Sequence, residues 1–84
     1  MELHAPIPFP LPAEAAEDTA LTEIAVAIEL VASGLAARVR VAGIASAVAD
    51  RVGGIGAAQA NAAGLRFVVE RSDGAATLTV GPRA

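Results

Sequence analysis

The dipeptide Asp73-Gly74 interrupts a stretch of alternating character, LRFVVERSDGAATLTV, that runs from Leu65 to Val80. Asp-Gly readily places two successive residues at positive φ, the requirement of a two-residue hairpin turn. Ser72 and Ala75 then close the loop. Counting outward sets Val69 opposite Leu78 and Phe67 opposite Val80, with Leu65 extending the same apolar face. The other face carries Arg66, Val68 and Glu70 against Thr77 and Thr79, the composition of a half-wetted sheet surface. An isolated hairpin is marginal in water, so the rest of the chain is required to cover the apolar face.

Upstream, Leu21, Ile24, Ile28, Val31 and Leu35 recur at three- and four-residue intervals, which predicts a helix burying one stripe. Pro12 suits its first turn, and Glu14, Glu17 and Asp18 complement the positive end of the helix dipole. Ser33-Gly34 ends it, with Gly34 in the left-handed conformation and Leu35 expected to fold back as the accompanying hydrophobic contact. The opposite face mixes Thr22, Glu29 and Ser33 with Val26 and Leu30. These last two lie four residues apart and form a candidate contact stripe for a partner.

Ala37 to Val41 alternates strictly between β-branched residues and arginines, which predicts a short strand ended by Gly43. Residues 45–63 predict a second helix with Val48, Val52 and Ile55 on one side. Gly53, Gly54 and Gly56 weaken it by about 1 kcal/mol each relative to alanine. If the helix is continuous, the rows Ala45-Ala49-Gly53-Ala57 and Val52-Gly56-Ala60-Gly64 offer a smooth surface for close backbone approach.

The architecture these elements predict is α/β (α+β): a small two-layer sandwich, arm-α-β-α-β-β, with two helices on one face of a three-stranded mixed sheet. Ala37–Val41 is expected to run parallel to Leu65–Arg71 through a crossover on the second helix. Residues 13–84 form this single domain. Residues 1–12 form an extended proline-rich arm, because Pro6, Pro8, Pro10 and Pro12 deny it both helix and regular ladder. A short strand at Glu2 to Ala5 is compatible with that. Ile7, Phe9 and Leu11 leave the arm apolar enough to lie on its own domain or in a partner's groove.

Composition excludes whole classes of chemistry. The chain has no cysteine, so disulfides, thiolate metal sites and cysteine nucleophiles are ruled out. Six basic residues, all arginine, stand against nine acidic ones for a net charge of −3, with no basic stripe suited to phosphate backbones. Nucleic acid is not an expected partner. The most apolar stretch, Ile24 to Ala37, is broken by Glu29, Ser33 and Gly34 and falls short of about 20 apolar residues, so no membrane span is expected. The N-terminus lacks the charged start and apolar core of a secretory signal, which makes the cytoplasm the expected compartment. Arginine without lysine, in an alanine- and glycine-rich chain, fits a high-GC bacterial gene.

No residue set converges on catalysis or on a cofactor. Gly53-Gly54-Ile55-Gly56-Ala57-Ala58 shares glycines with the dinucleotide fingerprint, but no buried strand precedes it and Gln59 stands where a small residue belongs. His4 has no second histidine to complete a ligand set or a triad. Arg38, Arg40 and Arg66, expected on one sheet face, form a candidate anion site, with Glu70 on the same face as their expected neutralising partner. Base-stacking aromatics are not interleaved with them, since the two aromatic residues are Phe9 and Phe67.

The succession of helix, helix-like segment and a hairpin ending in Leu78-Thr79-Val80 resembles the first part of the histidine-kinase-like ATPases, which include small bacterial anti-sigma factors. The chain stops where that family's glycine-rich nucleotide boxes begin, and its Glu…Asn magnesium-binding motif is not recognisable around Ala49 to Asn61. What the resemblance implies is therefore a degenerate fragment without ATP binding. The leading expectation from the residues is a non-catalytic protein-protein interaction module, an accessory or regulatory subunit that binds itself first. The expected homodimer contact is Val26 and Leu30, joined by Ile7, Phe9 and Leu11 of the arm. The alternative is a small-ligand or anion sensor using the arginine face.

Overall fold

The computed structural model describes residues 2–4 and 13–83. In chain order these form β1 (Glu2–His4), α1 (Ala13–Ala32), β2 (Val39–Ala45), α2 (Ser46–Ala62), β3 (Leu65–Ser72) and β4 (Ala75–Pro82). The helices make one layer and the sheet the other, the predicted two-layer α+β arrangement. The sheet order is β1-β2-β4-β3, so its body is the antiparallel set β2-β4-β3, with the three-residue β1 added parallel to β2 at one edge.

The hairpin follows the register read from its turn: Ser72 pairs with Ala75, Val69 with Leu78 and Phe67 with Val80. Asp73 and Gly74 sit at φ 51° and 76°, the paired positive values of a type I′ turn, whose twist matches that of the flanking strands. The expected neighbour of β2 is corrected. β2 and β3 do point the same way, but they do not pair; β4 lies between them and is antiparallel to both. The burial pattern gives the reason. Ala76, Leu78 and Val80 are buried on the helix-facing side of β4, and Thr77 and Thr79 are half-buried on the other, a strand with little charge to solvate. β3 carries Arg66, Glu70 and Arg71, all exposed, and an edge position keeps them in water.

Two local departures have similar causes. Gly43 does not end β2. At φ 75° it forms a bulge, and the register shifts by one residue between the pairs Val41–Leu78 and Ile44–Ala76. That extra residue returns Ile44 to the helix-facing side, where it is buried beside Val39 and Val41. At the end of α1, Gly34 takes the left-handed conformation at φ 79°, as its position predicts. Leu35, however, is 77% exposed, and the residue that folds back is Ala36, whose N–H donates to the Leu30 carbonyl at 3.1 Å.

The core is built from small side chains. Ala20, Ile24 and Ala27 of α1 meet Val48, Ala49 and Val52 of α2 over Val39, Val41, Ile44, Leu78 and Val80 of the sheet. α2 is continuous through its three glycines. Gly56 is buried, and a Cβ built there would stand 2.8 Å from the Phe67 ring and 3.3 Å from the Ile24 Cδ1. Of the two smooth rows, Val52-Gly56-Ala60 is buried throughout, whereas the other is buried at Ala49 and exposed at Ala45 and Ala57. Ile55 is also turned outward at 47% exposure, although the sequence groups it with Val48 and Val52.

Gly54 and Gly56 therefore predict opposite outcomes for one substitution. Gly54→Ala adds a methyl group where nothing lies within 4 Å and should stabilise the protein by about 0.5–1 kcal/mol. Gly56→Ala should cost about 1–3 kcal/mol, since the Phe67 ring must move against its packing. Urea denaturation monitored by circular dichroism reads both; equal effects at the two sites would contradict the close approach.

Candidate functional site

The face of the sheet turned away from the helices gathers the arginines that the sequence assigns to it. Arg40 pairs across with Thr79, which in turn pairs with Val68. One row away, the Arg38 side chain lies over Gly81, its Nε 3.7 Å from the Cβ position of that glycine, and Gly81 pairs with Arg66. Arg38, Arg40 and Arg66 thus share one surface. At the hairpin end of the same surface is a hollow of about 230 Å³, bordered by Arg40, Gly43, Glu70, Arg71, Ser72, Ala75, Ala76 and Thr77.

Glu70, expected as the neutralising partner of these arginines, makes no ion pair with them among the described residues. Glu70 sits across from Thr77, and the Arg51–Glu17 pair at 2.8 Å and the Arg71–Asp50 pair at 2.5 Å do not involve it. Arg66 takes no part in them either. These two pairs tie α2 to α1 and to β3. Arg71 also donates to the Ser46 carbonyl at 3.5 Å, which fastens the hairpin end to the start of α2. In the middle of the open face, the Thr79 hydroxyl is buried and makes no hydrogen bond.

A second feature lies where β3 forms the edge of the sheet. A groove of about 410 Å³ runs between α2 and this strand, bordered by Ala57, Ala58, Asn61, Leu65, Arg66, Phe67 and Arg83. The Arg83 guanidinium hydrogen-bonds the Asn61 side-chain oxygen on that border. Small alanine side chains on α2 leave the groove open, and Phe67 and Leu65 provide its apolar floor. Strand order had to be known before this edge could be recognised, and the sequence signals for it were indirect: the exposed charges of β3 and the alanines of α2.

The residues proposed from the sequence as partner contacts are distributed unevenly. Val26 is 44% exposed on α1, while Leu30 is half-buried and packs against the core, so the stripe is narrower than its spacing suggests. Ile7, Phe9 and Leu11 lie outside the described residues. His4 falls in β1, where it pairs with Ala42. The glycine run 53–56 lies inside α2 rather than at a strand-to-helix junction, so its backbone N–H groups are not aimed at a ligand. Among the described residues no three His, Cys, Asp or Glu side chains are grouped to hold a metal ion, and no helix is long and apolar enough to cross a membrane.

No protein-family model matches the chain, and neither a curated protein nor a solved structure matches it.

The buried Thr79 hydroxyl gives a direct test of the open face. Thr79→Val keeps the shape and the β-branched preference for a strand while removing an unpaired polar group, and should raise stability by about 1 kcal/mol in thermal or urea unfolding. A loss of similar size would mean that the hydroxyl is satisfied.

Proposed function

We propose that this chain is a small non-catalytic protein-protein interaction module, an accessory or regulatory subunit of the cytoplasm that associates first with itself. The observation that carries this reading is the outer edge of β3, eight residues long and without a neighbouring strand among the described residues, beside an apolar-floored groove of about 410 Å³. A strand edge of that length presents main-chain donors and acceptors with no ladder partner, and an added strand from another chain satisfies them. Half-buried Leu65, Phe67 and Val69 next to that edge supply apolar surface that association would remove from water. The alternative, an anion sensor on the arginine face, has Arg38, Arg40 and Arg66 in its favour, but Glu70 borders the same hollow as Arg40 and opposes an anion there.

Two measurements separate these readings. Sedimentation velocity of the full chain across a concentration series should show reversible association; a monomer at the highest concentration attainable overturns the self-binding module. Thermal unfolding in the presence of phosphate, sulfate or nucleotides should be unaffected beyond an ionic-strength effect, whereas a saturable rise in Tm would favour the sensor.

A further inference from the structure

We propose that two copies of this chain join edge to edge through β3, in one antiparallel two-fold register centred on Val68, to make a sheet continuous across both. The proposal rests on the self-binding reading above and specifies its contact.

The hairpin fixes which groups of β3 are available. In a two-residue hairpin the closing pair, here Ser72–Ala75, exchanges main-chain hydrogen bonds, and such pairs alternate along an antiparallel ladder. Ser72, Glu70, Val68 and Arg66 therefore direct their N–H and C=O groups to β4. Arg71, Val69, Phe67 and Leu65 direct theirs outward, to the edge where no further strand lies among the described residues. A second copy of β3, turned antiparallel about Val68, brings Phe67 opposite the partner's Val69 with both outward sets of groups facing. The same register sets Leu65 opposite the partner's Arg71. Val68 faces its own counterpart as a non-hydrogen-bonded pair, where side chains come closest.

Charge selects this register from the others. Arg66 and Glu70 each stand two positions from Val68 on the open face, one on either side. The two-fold operation therefore lays Arg66 opposite the partner's Glu70 and Glu70 opposite the partner's Arg66, both at close, non-hydrogen-bonded positions. Centring on Arg66 or on Glu70 sets two like charges face to face. Centring on Phe67 or Val69 sets each charge against an uncharged residue, and a one-residue slip turns the apolar side of one strand to the open face of the other. Neither Arg66 nor Glu70 takes part in an ion pair among the described residues, so both are available to a neighbour. On the helix side, the groove beside Leu65 and Phe67 gives the partner's Val69 and Arg71 room at the edge.

The self-complementary pattern makes the test one of charge exchange. Arg66→Glu or Glu70→Arg alone creates two like-charge pairs across the two-fold and should raise the dimer dissociation constant about ten-fold or more. The double variant Arg66→Glu/Glu70→Arg restores opposite charges at both positions and should return it to within about three-fold of the wild type. Mixing the two single variants should yield a heterodimer in native mass spectrometry, because each then meets its complement. Both positions of change are solvent-exposed, and circular dichroism checks that each variant is folded. Amide hydrogen exchange gives an independent reading: the Phe67 and Val69 amides should be protected at dimer-forming concentration and lose that protection on dilution.

A dimer whose constant is indifferent to all three charge variants, with Phe67 and Val69 amides exchanging freely, overturns the edge contact and leaves the self-binding module standing. Dissociation by Val26→Glu on α1, with the charge variants still dimeric, does the same. A wild type that is monomeric throughout overturns both.

Discussion

The ring of Phe67 lies against the backbone of α2 at Gly56, and this contact sets the distance between the helical layer and the sheet. A side chain at that position would hold α2 away from β3. Without one, the helix sits low enough for Val52 and Ala60 to bury on either side of the ring's contact, and Ile24 of α1 reaches the same point. Three elements distant in sequence therefore converge on a single methylene of the backbone. Most of the core around them is alanine and valine, which fill little volume individually. Such a core reaches native density only when the layers approach closely, because dispersion falls off steeply across even a small gap. The glycines that weaken α2 as an isolated helix are thus part of what makes its packing possible.

The same compression shapes the outer surfaces. A helix drawn down onto the sheet exposes the residues just beyond its contact row, which places Ile55 in solvent and leaves Ala57 and Ala58 beside an open groove rather than beneath a ridge. On α1 the small residues Ala20 and Ala27 are buried with Ile24, while the larger Leu21, Ile28 and Val31 are only partly covered. Size alone therefore misidentifies the inward stripe in an alanine-rich chain. The residues that fit the short interlayer distance are those that go inside.

The parts of the fold that were legible in the sequence are those set by local rules. Asp73-Gly74 dictated a turn type, and with it the pairing of every residue in the hairpin. The spacing around Ile24 marked a helix, and Gly34 marked its end. What the sequence did not reveal depends on competition between distant segments. Whether β2 pairs with β3 or β4 is decided by which hairpin strand better tolerates burial on two sides, and Thr77 and Thr79 tolerate it better than Arg66 and Glu70. The bulge at Gly43 was hidden because glycine punctuates strands as readily as it kinks them; Ile44, the residue directly after the glycine expected to end the strand, was the one whose burial required continuation. The candidate site inherits this division. The arginine face was readable from alternation along two strands, whereas the groove beside β3 exists only because β4 took the central place.

That exchange of places also links fold to association. Had β3 been central, Arg66 and Glu70 would have been flanked by strands of their own chain, and each would have needed a partner within it. Placing β4 inside moves the most charged strand to the edge, where its side chains remain hydrated and its outward main-chain groups have no neighbouring strand among the described residues. Charges on an edge strand ordinarily oppose edge-to-edge pairing, since most registers bring like charges together or set a charge against an apolar neighbour. An arginine and a glutamate disposed symmetrically about a valine oppose nearly all registers but favour one, the two-fold arrangement about that valine. In the proposed dimer the same two side chains act against indiscriminate strand addition and in favour of a single two-fold contact, which consumes the β3 edge of both copies.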